Sequence, residues 1–268
     1  MTRHLHTAIV GFFGLALMGC AVAHADGPQQ CQVGVDDPPL ETIAEGDDVV
    51  ALLGRIETAA AEVQTLHAKL RYTTIQGLLA DEQVRFGQLW YAAPGALPGD
   101  AAGAQAERLA VHIQREKLGQ HVEPADQWLV FDGTFFLERN AEKRQATRRE
   151  IRPPGEDAAA ALPVPIRLSR AEATERFEVE KIDAPEAPAG ITLGFTPHPG
   201  VETEPMQITF DAHSLLPLEV RFGEPDGDLT IFRLVEPTAN PAEVDPNLFE
   251  TDLPAEAGWD LQDVPFGE

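Results

Sequence analysis

A chain of 268 residues in which 43% are hydrophobic has enough apolar material for a sizeable core, so global disorder is excluded, and its length suits one large domain or two small ones. Its 44 acidic against 20 basic residues leave a formal charge of −24, which opposes nucleic-acid binding over most of the surface and restricts any membrane contact to an apolar segment, a lipid anchor or a local basic patch. Cys20 and Cys31 are too few and too close to the N-terminus to staple such a domain or to build a zinc knuckle.

Residues 1–25 read as an export signal, with Arg3, His4 and His6 ahead of an apolar run at 8–18 that is too short to span a bilayer. Two processing chemistries fit. Leu17-Met18-Gly19-Cys20 resembles a lipobox, which would acylate Cys20 and anchor the chain to a membrane; Ala23-His24-Ala25 is a small-x-small site that would leave Asp26 first and the protein soluble in the periplasm. Either removes Arg3 and no acid, so the charge of −24 becomes −25, with Cys31 a lone thiol. Residues 26–46 are rich in Gly, Pro, Asp and Gln and read as a flexible leader, either tether or filler.

Asp47 or Asp48 is placed to cap a helix whose apolar residues Val49, Leu52, Leu53, Ile56, Ala60, Val63, Leu66 and Leu70 keep a three-four spacing, with His67 near its end. Strands are expected at 71–75, 83–91 and 108–114, with a Pro, Gly and Ala-rich loop at 94–106 between the last two. Then Trp128-Leu129-Val130-Phe131 and Thr134-Phe135-Phe136-Leu137 flank Asp132-Gly133, a pair that tolerates the positive φ angles of a type I′ turn, so a tight hairpin is expected. A third alternating run, 143–151, continues the meander and carries much of the basic charge: Arg139, Lys143, Arg144, Arg148, Arg149 and Arg152. Such a cluster either solvates an edge strand or docks an acidic partner or phospholipid head group, and Arg144, Arg148 and Arg149 are the docking candidates.

After Arg152-Pro153-Pro154-Gly155, an apolar Pro-bearing stretch at 162–166 does not fit a central strand. Ser169 with Glu172 makes a capping box for a short helix over 170–176. Five strands follow at 177–182, 190–196, 206–210, 218–222 and 229–235, with turns at 211–214 and 224–227. A single α+β domain over 47–260, ending in a short tail at 261–268, is the simplest account.

Catalytic signatures are missing: no nucleophile elbow, no H-E-x-x-H, no phosphate-binding glycine loop and no cofactor motif. His112, His121, His198 and His213 are dispersed, and Asp211 beside His213 sits in a turn where Asp ordinarily bonds its own backbone. An enzyme is not expected; a metal site built from three of these histidines is the lesser alternative.

Over residues 47–259 the order helix, aromatic strand, Asp-Gly hairpin and Asn-Pro-bearing ending resembles the LolA/LolB-like family of bacterial lipoprotein carriers, and four segments carry the resemblance. They are Gly87-Gln88-Leu89-Trp90-Tyr91 with Pro94; Trp128 to Gly133 followed by Lys143-Arg144-Gln145; Ile208 to Asp211 with Leu216-Pro217-Leu218-Glu219-Val220; and Asn240-Pro241-Ala242-Glu243-Val244-Asp245-Pro246-Asn247-Leu248-Phe249 with Pro254. The resemblance implies a strongly curved antiparallel sheet, an incomplete β-barrel, with helices covering its open side around an apolar cavity for acyl chains of lipoproteins or lipids on their way to the outer membrane. A cell-envelope scaffold or sensor of the same fold, binding a protein partner without lipid transfer, is the alternative. Ala93 stands where the family has Arg, and 153–177 is longer and richer in Pro than in a minimal carrier, departures that bear on shuttling more than on binding. The cavity candidates are Leu89, Tyr91, Leu109, Val111, Ile113, Trp128, Val130, Phe136, Ile208, Phe210, Leu218, Val220, Phe222 and Phe232.

Overall fold

A computed structural model describes residues 48–77, 81–98, 106–151, 166–201, 203–223, 227–255 and 258–266. The export signal with Cys20, the leader with Cys31, and residues 152–165 of the Pro-rich stretch lie outside them. Helix α1 (Val49–Ala61) begins where the Asp48 side chain accepts from the Val50 amide. Six strands follow: β1 (Thr65–Gln76), β2 (Asp81–Ala92), β3 (Arg108–Leu118), β4 (His121–Phe131), β5 (Phe135–Asn140) and β6 (Gln145–Glu150). Helix α2 (Arg170–Arg176) starts at Ser169, whose Oγ accepts from the Glu172 amide at 3.4 Å. Then come β7 (Phe177–Ile182), β8 (Ile191–Pro197), β9 (Met206–Phe210), β10 (Pro217–Gly223), β11 (Leu229–Ala239), a 3₁₀ turn (Pro246–Phe249) and β12 (Asp260–Val264).

All twelve strands form one sheet in the order β12-β6-β5-β4-β3-β2-β1-β11-β10-β9-β8-β7. Two antiparallel meanders meet where β1 pairs with β11, and only β12 runs parallel to its neighbour, β6. The sheet is mixed and open, with β12 and β7 at its edges. One buried cluster gathers side chains from α1, α2, β1 to β4 and β7 to β11. From β4 to β8 is seven strand steps, about 34 Å if flat, whereas α1 is about 20 Å long, so the sheet must curl to join both halves in one core. We call the face toward this core the inner face.

The outer face is also covered in part. Over β2 to β6, Ala92, Ala110, Val130, Leu137 and Ala146 form a second cluster with Phe249, against which Trp90, Trp128, Leu253 and Trp259 pack. Over β8 to β11 the outer face is polar: Thr192 and Thr209 share a buried hydroxyl hydrogen bond of 2.9 Å, and Glu219 is almost fully buried.

Several sequence expectations change. The helix ends at Ala61, not near Leu70, and His67 is a strand residue. Leu66, Ala68, Leu70 and Tyr72 are inner-face residues of β1 at period two; four-residue spacing fits a helix and every second step of a strand alike, and pairing on both sides decides for the strand. The Asp132-Gly133 hairpin forms but its connection is longer than two residues: Phe131 pairs with Phe136, and one Asp132 carboxylate oxygen accepts from the Thr134 and Phe135 amides at 2.7 Å each. Pro124 sits inside β4 because β5 pairs only from Gln127 onward, leaving that end of β4 with β3 as its one strand neighbour. Arg144 is a turn residue with φ 51°, not part of β6. Residues 261–264, read as the start of a tail, belong to β12.

Candidate functional site

The alternation of each strand decides what the inner face carries. Leu89 and Tyr91 from β2, Leu109, Val111 and Ile113 from β3, Ile208 and Phe210 from β9, and Val220 and Phe232 from β10 and β11 are buried together there, with Phe136 and Phe222 packed against them at partial exposure. Three candidates are placed elsewhere. Trp128 and Val130 point to the outer face, while their neighbours Leu129 and Phe131 point inward. Leu218 lies in a bulge of β10, where Pro217 pairs with Phe210 and Glu219 with Thr209, and belongs to neither cluster. Sequence alternation could have offered Leu66, Leu70 and Tyr72 on β1 and Leu193 and Phe195 on β8; an overlong helix hides the first two of these.

Two polar features border this apolar floor. The Tyr91 hydroxyl donates to Glu107 Oε1 at 2.8 Å, and burial pushes both groups' pKa upward, opposed at Glu107 by the Tyr91 hydrogen bond and by the Arg167 charge. Toward β6 the inner face turns polar and forms a cleft of about 300 Å³ lined by Arg85, Gln127, Glu138, Asn140, Lys143, Gln145, Thr147, Asp260 and Gln262. Register shows why these converge: Gln127 pairs with Asn140, Glu138 with Thr147, Gln145 with Asp260 and Thr147 with Gln262, and directly paired residues share a face. Gln127 shares that face with Leu129 and Phe131, so cleft and apolar floor are continuous.

The docking candidates lie at the β6 edge. Arg144 and Arg149 are exposed, whereas Arg148 is held: its Nε and Nη2 reach the two Asp263 carboxylate oxygens at 3.0 and 2.6 Å, and its guanidinium lies 4.7 Å from the Phe135 ring centroid. That pair raises the Arg148 pKa and lowers that of Asp263.

On the outer face an aromatic ladder crosses four strands, β1 to β4, and ends on an arginine of β5. His67 stacks on Trp90 at 5.0 Å, Trp90 lies 6.1 Å from Trp128, His112 stacks on Trp128 at 4.1 Å, and Arg139 sits 5.7 Å from the same ring. His112 also contacts Asp126 at 3.0 Å, and His67 contacts Gln88 at 3.3 Å. Burial lowers both imidazole pKa values, more than the hydrogen bonds to Gln88 and Asp126 raise them. A histidine depressed on folding costs nothing while both states are neutral; as pH falls through the ordinary value of 6.5 the unfolded chain takes up the proton first, and stability drops until the lower folded pKa is passed. Between pH 7.5 and 5, the thermal midpoint of the wild type is therefore expected to fall relative to that of a His67→Gln/His112→Gln variant. Parallel midpoint–pH curves for the two proteins would remove the histidines as the cause.

The other histidines among the described residues assemble no site. His121 is exposed at the β3–β4 turn, His198 approaches the Thr174 carbonyl, and the backbone amide of His213 donates to Asp211 Oδ1 at 3.0 Å. Burial would raise the Asp211 pKa, but bonds from the Ser214 and His213 amides and the Ser214 hydroxyl lower it overall: the Asp serves its turn. Among the described residues there is no cluster of three metal-ligating side chains, and no helix is long and apolar enough to cross a membrane.

Fold and site together define an open, curled sheet with a broad apolar inner face that grades into a polar cleft, an arrangement suited to binding. No protein-family model and no curated protein sequence matches the chain. Among solved structures it is similar to an uncharacterized conserved protein from Thermus thermophilus, at 10% identity over 81% of this chain and 99% of that one with a TM-score of 0.44. It is also similar to MucB, at 13% identity over 79% of this chain and 64% of that one with a TM-score of 0.45, and to a LolA superfamily protein from Nitrosomonas europaea, at 12% identity over 74% and 97% with a TM-score of 0.33.

Proposed function

We propose that the protein is an exported, non-catalytic binding protein of the cell envelope that holds an acyl chain of a lipid or lipoprotein against the inner face, with α1 and α2 covering the open side. The observation that carries this reading is the continuity of apolar floor and polar cleft on one face, which gives an amphiphile a place for its chain and a place for its polar end. Leu89, Tyr91, Val111, Ile208, Phe210 and Phe232 form the floor. In the described structure Leu52, Leu53 and Ile56 of α1 are buried in the same cluster, so a bound chain takes the place of the α1 stripe and leaves the helix to ride on its outer side.

Protein purified from its own host without detergent is expected to carry an acyl-bearing molecule, read by native mass spectrometry and lipid extraction. The same spectrum reports whether the chain begins at an acylated Cys20 or at Asp26. A second reading rests on a different observation: Leu89, Leu193 and Ile208 have no exposed surface, as in a core closed by its own side chains. A domain of that kind is a scaffold or sensor that meets a protein partner with its exterior. Host-purified protein free of acyl chains, and unable to take up a fluorescent fatty acid, would establish this second reading against the first.

A further inference from the structure

The edge of β6 is occupied by the chain's own C-terminal segment. β12 is the one parallel strand of the sheet, and four of its five residues are exposed, including Leu261. Burial therefore contributes little to its attachment. The strand itself is held by main-chain pairing from Asp260–Gln145 to Val264–Arg149, the bond from the Asp260 amide to the Arg144 carbonyl, and the two-pronged Arg148–Asp263 pair; Trp259 before it packs on the outer cluster, and the Phe266 amide after it donates to Glu150 at 3.3 Å. The receptor side is prepared for a carboxylate: Arg148 is steadied over the Phe135 ring on the outer face, where the Asp252 and Asp132 charges also act on it, while the exposed Arg144 lies in the turn before β6 and the exposed Arg149 on the inner face. Gly258, with φ 91°, provides a pivot just before the strand.

We propose that the β6 edge is a strand-addition site for an extended acidic segment of another protein chain, and that β12 is the placeholder occupying it in the free protein. Main-chain hydrogen bonds give such a site its affinity, and Arg148 selects a segment with a carboxylate at the Asp263 position. β12 also supplies Asp260 and Gln262 to the polar cleft, so exchange of the strand opens that end of the inner face. The proposal stands independently of acyl-chain binding, since neither the apolar floor nor its occupancy enters it.

The test uses the full chain and, as probe, a labelled peptide of residues 258–268. Asp263→Arg sets like charges together and loosens β12; this variant is expected to bind the peptide at least about tenfold more tightly than the wild type, a difference near 1.4 kcal/mol. Adding Arg148→Glu should abolish the gain, a peptide with Lys in place of its two Asp residues should not bind, and added salt should weaken binding. Asp263→Asn, which removes the pair without repulsion, gives the same ordering should the Arg variant fold poorly. Equal binding by wild type and both Asp263 variants, or binding that survives Arg148→Glu, would overturn the proposal. A wild-type dimer that forms with concentration and is lost on Arg148→Glu would overturn it in favour of strand exchange between two copies of this chain.

Discussion

Gly87→Ala is expected to destabilise the fold by about 3 kcal/mol or more, and to lower the thermal midpoint by roughly 10 °C, although it adds a single methyl group. Gly87 lies in the interior of β2, paired with Leu70 of β1 and Ile113 of β3, at the point where β3 carries an extra residue, Gln114. The bulge brings the β3 backbone over Gly87 so closely that a Cβ would stand 2.1 Å from the His112 carbonyl oxygen and 3.0 Å from the Ile113 Cα. Neither obstacle is a movable side-chain end. The strands must separate, and with them Leu89, Val111 and Ile113 of the apolar floor and the outer His112–Trp128 stack. Gly54→Ala is the matched control: its Cβ would meet only the Arg170 side chain at 3.5 Å, and losing a helix glycine should stabilise by about 0.5–1 kcal/mol. Chemical denaturation of the two variants side by side checks the pair, and a Gly87→Ala protein as stable as the wild type would mean that β2 and β3 do not meet this way.

The second large effect is expected at Glu219. Its side chain is 1% exposed, on the outer face of β10, with Arg221 Nε donating to Oε1 at 2.6 Å and Arg233 Nε donating to Oε2 at 2.5 Å. Both arginines also reach Glu186 in the β7–β8 connection, one at its carboxylate and one at its carbonyl, so the buried carboxylate anchors that connection onto the sheet. Glu219→Ala leaves two guanidinium groups without their common partner and should lower stability by about 3 kcal/mol, toward the small end of the range for broken buried pairs because Arg233 keeps about a third of its side chain in water. Replacing Glu219, Arg221 and Arg233 together by Leu, Leu and Met should restore most of the loss, since no charge is then stranded. Denaturation midpoints decide: a triple variant as weak as the single one would show that the triad specifies this packing and that its charges alone are not the issue.

Neither Gly87 nor Glu219 announced itself as critical in the sequence. A glycine in a strand is visible there, but the carbonyl that forbids its replacement comes from another strand through a bulge. Glu219 reads as an ordinary solvent-side residue of an alternating strand, and only the arginines of β10 and β11 and the connection above them make it buried.

Local chemistry was legible where it was self-sufficient. The Ser169 cap gave α2 its limits, the Asp132-Gly133 pair marked its hairpin, and alternation located β7 to β11 within a few residues, because these signals act between near neighbours. The apolar candidates of β2, β3, β9 and β11 were also readable from alternation. The face taken by β4 was not: with cores on both sides, Trp128-Leu129-Val130-Phe131 is apolar without alternation, and a one-residue choice of register sends each side chain to the opposite core. Likewise Leu66 and Leu70 suit a helix or a strand until β2 and β11 flank them. β12 depends on an edge supplied by residues more than a hundred positions earlier and leaves Leu261 exposed, so its pairing is written in the Arg148–Asp263 contact and in no local apolar pattern. Most of the elements and the apolar supply of the site were thus set by neighbouring residues along the chain. Which face each strand shows, how floor and cleft join, and what covers the edge were set by the folded whole, because those follow from long-range register and from burial on both faces of one sheet.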